Sequence, residues 1–349
     1  MEESLSQPPQ LSFFSKLKSR KFAIPLAVVV AVVIGLAGWR VFSTHSPSGS
    51  SVMTLSNSST QFPAVAGKID KIDTSKLKFD QAAMKNDPLG DPNGPFYHSV
   101  YTATSTNGQQ FTPTGNKIAD HTSVPDVIKL PSGQLVFYAV DGAQSSKSGV
   151  LLGVSDDNGK TWKLGSMQLN VGKGGVADPQ ITMTDSGQLR LYYTIFSGPP
   201  VSGQPAATVN KIDSAISTDG INFTQEPGDR FEYAQITDPD VIKIGATWFM
   251  YVAQGPTLLY ATSTAGNGSF SYQGVTRQRG SVSKTVALGG GKYRQFYCLN
   301  GISSSVTSDG INWTDEGLSL VAPAGKIICD PSPAQIGPNS WLMVYKQVN

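Results

Sequence analysis

Five short segments open an apolar run with an acidic, basic or small side chain beside a proline or serine. They read VPDVIKLPSGQLVFYAV (124–140), ADPQITMTDSGQLRLYYT (177–194), TDPDVIKIGATWFMYVA (237–253), VSKTVALGGGKYRQFYC (282–298) and CDPSPAQIGPNSWLMVY (329–345). Aligned, they give two rows two residues apart. The first row is Val124, Asp178, Asp238, Val282 and Asp330. The second is Asp126, Gln180, Asp240, Lys284 and Ser332. Residues two apart in a strand point the same way, so five carboxylates and one lysine are expected to converge. Carboxylates held close together raise one another's pKa, which general acid–base chemistry requires. The competing reading is that Asp before Pro opens a strand by bonding its own turn.

The elements that would position these residues are strands. Each run is paired with a Gly-rich turn: STNGQQF (105–111), SDDNGKTW (155–162), STDGINF (217–223), STAGNGSF (263–270) and SDGINW (308–313). In the complete copy, Ser155 and Asp157 can hold turn N–H groups, Gly159 can take a positive φ and Trp162 can pack back. Asp219 and Asp309 occupy the place of Asp157. These turns are structural devices. Strand-rich repeats of roughly 45–60 residues predict a β-propeller with one four-stranded blade per repeat. The first turn, at 105, precedes the first run, and the last run has no turn after it. The C-terminal end is therefore expected to supply two inner strands of a blade whose outer two come from about 97–118. The expectation is an all-β, five-bladed propeller with 2+2 strand closure and no bare sheet edge at the seam, preceded by one transmembrane helix. With 36 Gly, 22 Pro and only 15% charged residues, the composition suits short strands and many turns.

The predicted membrane helix rests on 18 residues without a charge, Phe22 to Trp39. As a helix they span about 27 Å, close to the hydrocarbon thickness. Lys16, Lys18, Arg20 and Lys21 precede them, so residues 1–21 are expected in the cytoplasm and the rest outside. Residues 22–42 then form a signal anchor; a cleaved signal peptide is the competing reading. Residues 43–61 read as a stalk, with 11 Ser or Thr among the 18 positions 43–60. Residues 62–96 read as an irregular lead-in and 97–349 as the propeller. The net charge is +2, but 22 basic and 23 acidic residues lie beyond residue 40. A nucleic-acid partner wants a basic surface and is not expected. Cys298 and Cys329 should sit at one end of neighbouring blades, where they could form a disulfide or remain two buried thiols.

The Asp/Pro strand starts and the trailing G-x-x-x-F/Y-Y pattern, over residues 97–346, resemble the arabinanase and β-xylosidase type of five-bladed glycoside hydrolases. The resemblance implies an Asp base from the first blade, a pKa-tuning Asp from the second and a Glu acid from the third. Asp178 matches the second position. The third holds Asp238 where that family has Glu, and the first holds Val124 with Asp126 two residues on. Glu232, just before the third run, is a substitute acid, one of three glutamates beyond the apolar run with Glu226 and Glu316. Asp240, Lys284, Asp330 and Trp248 would contact substrate. Tyr138, Tyr193, Tyr251 and Tyr297 could stack on sugars or fill blade cores. The partner so implied is a glycan, with no cofactor or metal. Hydrolysis and non-catalytic carbohydrate binding or adhesion both stay open. A third possibility is a sialidase-like exo-glycosidase, since sialidases carry the same box turns. They have six blades, however, and three arginines for a carboxylate. Arg190 and Arg294 fall at equivalent second-strand positions, which suggests a role in the repeat.

Overall fold

The computed structural model describes residues 66–79, 87–88, 90–169, 176–196 and 209–348. Among the described residues, twenty-two strands form five sheets, antiparallel but for one two-residue strand. Blade one is β3 (Thr122–Lys129), β4 (Leu135–Asp141), β5 (Val150–Ser155) and β6 (Lys163–Ser166). Blade two is β8 (Val176–Met183), β9 (Leu189–Ile195), β10 (Val209–Ser217) and β11 (Asn222–Gln225). The two-residue β7 (Gln168–Leu169) and β12 (Phe231–Ala234) are added at its outer side. Blade three is β13 (Thr237–Ile244) to β16 (Ser271–Arg277). Blade four is β17 (Ser281–Gly289) to β20 (Thr314–Leu320). Blade five closes the ring with two strands from each end of the described chain, in the order β21 (Ile327–Gly337), β22 (Ser340–Val348), β1 (His98–Ser105), β2 (Thr112–Asp120). The closing ladder is regular, from His98 opposite Val348 to Ser105 opposite Trp341. The expected 2+2 closure and five blades are what the chain adopts.

The apolar core is divided among the five gaps between blades. Leu152, Val154 and Ile181 belong to the gap between blades one and two; Tyr192, Met250 and Val252 to the next; Tyr251 and Trp313 to the third. Phe296 and Met343 fill the fourth, and Phe137 and Leu342 the last. Residues 66–77 add Ile69, Ile72 and Leu77 to the first gap. The Gln134 side-chain amide holds both the N–H and the carbonyl of Ile72. This part of the lead-in is an ordered strap at the end of the blades opposite the first-row residues.

Polar contacts repeat from gap to gap. The hydroxyls of Tyr138, Tyr192 and Tyr251 each donate to the carbonyl of a glycine in the next blade's turn, Gly220, Gly266 and Gly310, all at 2.7 Å. Blade four reaches Gly108 of blade five through Arg294 Nη1 at 2.8 Å. At the fifth gap a Cβ on Gly159 would stand 2.5 Å from Leu342, so glycine is needed there for contact as well as for its φ of +83°. The box turns behave as the sequence implies. Ser155 Oγ donates to Asp157 and accepts from Gly159 N–H, and Trp162 Nε1 donates to the Gly159 carbonyl. Asp219 and Asp309 make the same turns. Hydrogen bonds from Thr161 hold Asp157 down at about 2.

Arg190 and Arg294 do share a repeat role. Each forms a two-pronged ion pair with the fourth-strand side of its own blade, Arg190 with Glu226 and Arg294 with Glu316, and a third-strand serine joins each pair. The Arg294–Glu316 side chains are only 10% and 14% exposed. Removing one member of a buried pair costs about 3–5 kcal/mol, because the other charge is stranded. Arg294→Met should therefore lower stability by that order in urea melts, and Arg294→Met/Glu316→Leu should recover most of the loss. Equal losses in the single and double variants would show that the two residues do not act as a unit.

Candidate functional site

The inner strands do not run straight past the axis. In all five, the register with the second strand breaks: between Ser123 and Asp126, Ala177 and Gln180, Thr237 and Asp240, Ser281 and Ser283, and Cys329 and Ser332. The first-row residue at each break has left-handed backbone, with φ of 49° at Val124, 50° at Asp178, 52° at Asp238, 56° at Val282 and 51° at Asp330. Asp tolerates this region; β-branched Val does so only under constraint. Strain of about 1–3 kcal/mol per residue is typical of such positions. A bulge at the first row interrupts the regular alternation, and residues of both rows still line one opening.

The second row ties the ring together. Inner strands are sheet edges, so N–H groups that face the axis have no ladder partner. Asp126 of blade one accepts from Ile181 N–H of blade two at 2.7 Å. Asp240 of blade three accepts from Thr285 N–H of blade four at 3.0 Å. Ser332 of blade five accepts from Val127 N–H of blade one at 2.8 Å. Asp126 also receives the Lys284 ammonium at 2.6 Å and the Ser332 hydroxyl, so four blades meet on one carboxylate. Asp240 is fully buried, with the Ser283 and Thr285 hydroxyls on it, and burial pushes its pKa up.

The first row forms the mouth. Asp178, Asp238 and Asp330, with Val124 and Val282, line a small opening of about 30 Å³, and Asp126, Gln180 and Lys284 of the second row reach the same opening. Asp178 and Asp238 are half-buried neighbours, and the Asp238 N–H points to Asp178 Oδ2 at 3.4 Å. Burial, with the Asp330 charge adding to it, pushes Asp178 up to about 6. Asp238 lies well above the usual carboxylate range, because of burial first and the Asp178 charge second. Asp330 is buried and paired with Lys346 at 2.7 Å.

The remaining candidates lie elsewhere. Glu232 is not brought to the funnel. It sits on β12 at the outer side of blade two, exposed, with its carboxylate 3.3 Å from Lys211. The short β12 pairs back onto β10, and that pairing carries Glu232 away from the axis. Trp248, Tyr138, Tyr193, Tyr251 and Tyr297 are buried. Trp248 packs in the gap between blades two and three.

Several residues at the end of the ring where the inner strands begin escape a strand-start alignment. Lys346 lies at the upper end of a second strand, opposite Cys329. The matching positions are Val140, Thr194, Ala253 and Cys298, so a lone charge there is the signal that could have revealed it. His98 bonds the Ser123 hydroxyl at 2.9 Å, and burial, then the Lys346 charge, lowers it to about 4. Beside it, Phe96 stacks on His121 at 3.9 Å between ring centres, and Tyr97 stands exposed. Pro95 packs so closely on Gly142, at the end of β4, that a Cβ there would come within 2.4 Å. This fixes the aromatic group over blade one.

Cys298 and Cys329 form a disulfide between blades four and five, with Cα atoms 5.1 Å apart. Among the described residues no helix is long and apolar enough to cross a membrane. The expected anchor at 22–42 and stalk at 43–61 lie outside the described residues.

No protein-family model and no curated protein matches the chain. Solved structures do. A protein of unknown function from Dyadobacter fermentans superposes with a TM-score of 0.51 at 13% identity, over 76% of this chain and 87% of that one. The GH43 BlXynB protein of Bacillus licheniformis gives 0.49 at 12% identity, over 64% of this chain and 48% of that longer one. The GH43_1 enzyme of Xanthomonas citri, complexed with xylotriose, gives 0.48 at 14%, over 65% and 86%. At these identities the likeness is one of fold: the chain is a five-bladed β-propeller whose structural neighbours include GH43 glycoside hydrolases.

Proposed function

We propose that the protein binds a glycan across the mouth of its funnel and does not cleave it. One observation carries this reading: Asp178 and Asp238 are the carboxyls left accessible at the mouth, and they stand side by side. Neighbouring carboxyls can take hydrogen bonds from vicinal sugar hydroxyls. The exposed Tyr97 beside the Phe96–His121 stack offers a ring for the apolar face of a sugar. Hydrolysis asks for two carboxyls on opposite faces of the sugar, one protonating the leaving oxygen. The first-blade position is Val124, and Asp126 is committed to four blades. The hydrolytic reading keeps one support, the raised pKa values of Asp178 and Asp238, with Asp238 as the acid.

The same reading places the propeller outside the cytoplasm, on the anchor at 22–42. Its support is the basic flank of the apolar run and the disulfide, which suits an oxidising compartment.

Three outcomes are expected. Calorimetric titration with xylo-, arabino- and galacto-oligosaccharides should show binding, and Asp178→Asn and Tyr97→Ala should each weaken it at least about tenfold, or 1.4 kcal/mol. No binding by the wild type would sink the proposal, and turnover of chromogenic glycosides lost in Asp178→Asn would replace it with hydrolysis. The second concerns pH. A carboxyl raised in the fold contributes stability that is complete below its unfolded pKa and is lost as pH rises through its folded value, about 6 for Asp178. His98, lowered to about 4, acts oppositely and loses stability as pH falls from about 6.5. Asp178→Asn should therefore melt above wild type at pH 7, with the gap closing towards pH 4. A gap that does not change with pH would show that Asp178 is not raised. Third, protease added to intact cells should remove the propeller; full protection would refute the outward placement.

A further inference from the structure

The disulfide lies against the funnel wall. Cys329 immediately precedes Asp330, and the Asp330 N–H donates to Cys298 Sγ at 3.2 Å. Asp330 sits in the left-handed region at φ 51° and its carboxylate pairs with Lys346 at 2.7 Å. Lys346 in turn stands opposite Cys329 in the ladder of blade five. Sulfur bridge, strained residue and ion pair thus form one contiguous unit. Among the described residues, no other first-row position has a covalent link to the neighbouring blade.

We propose that the Cys298–Cys329 disulfide is a positioning element for the mouth. It ties the start of the strand that carries Asp330 to blade four and so sets where the Asp330 and Lys346 charges stand relative to Asp178 and Asp238. The inference does not depend on what the mouth binds. Both sulfurs belong to half-buried residues, within reach of a small dithiol. A dithiol supplies two electrons and two protons. The S–S bond breaks, two thiols form and the reductant leaves as its own disulfide. The start of that strand is then free to shift away from blade four and to carry the Asp330 carboxylate with it. The charged and titratable groups facing this point are Asp178, Asp238, Lys346 and His98. With the Asp330 charge gone, Asp178 loses a repelling neighbour, and the released Lys346 ammonium can turn to it. Both changes make Asp178 a stronger acid.

The test follows the Asp178 carboxyl by NMR in the full chain, with the disulfide intact and after reduction. The midpoint should fall by about one pH unit, tenfold in acidity. Asp330→Asn with the disulfide intact should shift it the same way, because it removes the charge without touching the sulfurs. A midpoint unmoved by reduction would overturn the proposal. So would loss of the folded spectrum on reduction with Asp178 unmoved in Asp330→Asn, since the bridge would then be a staple for the whole ring.

Discussion

A ring of blades has a weakness at its centre. Each inner strand is hydrogen-bonded on one side only, and its free N–H groups face the axis, where no ladder can form. An unpaired buried N–H costs about as much as a lost hydrogen bond. This chain meets the constraint with side chains. Asp126, Asp240 and Ser332 each reach sideways and take an N–H from the next blade. Where the blades can approach the axis, how closely they pack and what room remains at the mouth all follow from these bonds. The Lys284–Asp126 pair crosses from blade four to blade one and keeps the most heavily used carboxylate neutralised.

That constraint divides the acidic residues into two populations. Those that follow the bulge are fastened and buried. Those at the bulge are held in a backbone conformation that costs energy; Asp178 and Asp238 are half-buried there, and Asp330 is buried against Lys346. The division explains how a chain with few charges can keep Asp178 and Asp238 unneutralised beside each other. The surrounding ring is determined by other contacts, namely the interblade tyrosines, the Arg–Glu pairs and the box turns, so local strain at the mouth is tolerated. The carboxylates that fasten the ring and the two half-buried ones at the opening are thus different residues.

The blade count and the seam are legible in the sequence because each repeat carries its own turn, and a turn without a run before it can only belong to the last sheet. The meeting of Cys298 and Cys329 is legible for the same reason, since strand direction alone puts them at one end. The roles of the two rows are not. Alternation in a strand places Asp126 and Val124 on one side, and nothing in VPDV announces a bulge at a β-branched residue. Glu232 misleads in a similar way: it is five residues from the third run, but β12 folds back onto β10 before that run begins. Lys346, Phe96 and Tyr97 come from outside the strand starts, and closure of the last blade brings them to the end of the ring where the inner strands begin.

The pairing of His98 with Val348 also fixes when the molecule can be complete. The third strand of the closing blade is made before blades one to four, and its partner after them. Until that partner emerges, four blades at most can stand, and β1, paired with β2 on one side, waits with its other edge bare. Contacts this distant along the chain are slow to form, and an open strand edge is a template for other chains. The unfinished ring is thus the state in which this protein is most exposed to misassembly, and whatever shelters β1 during that interval governs the yield of the folded protein.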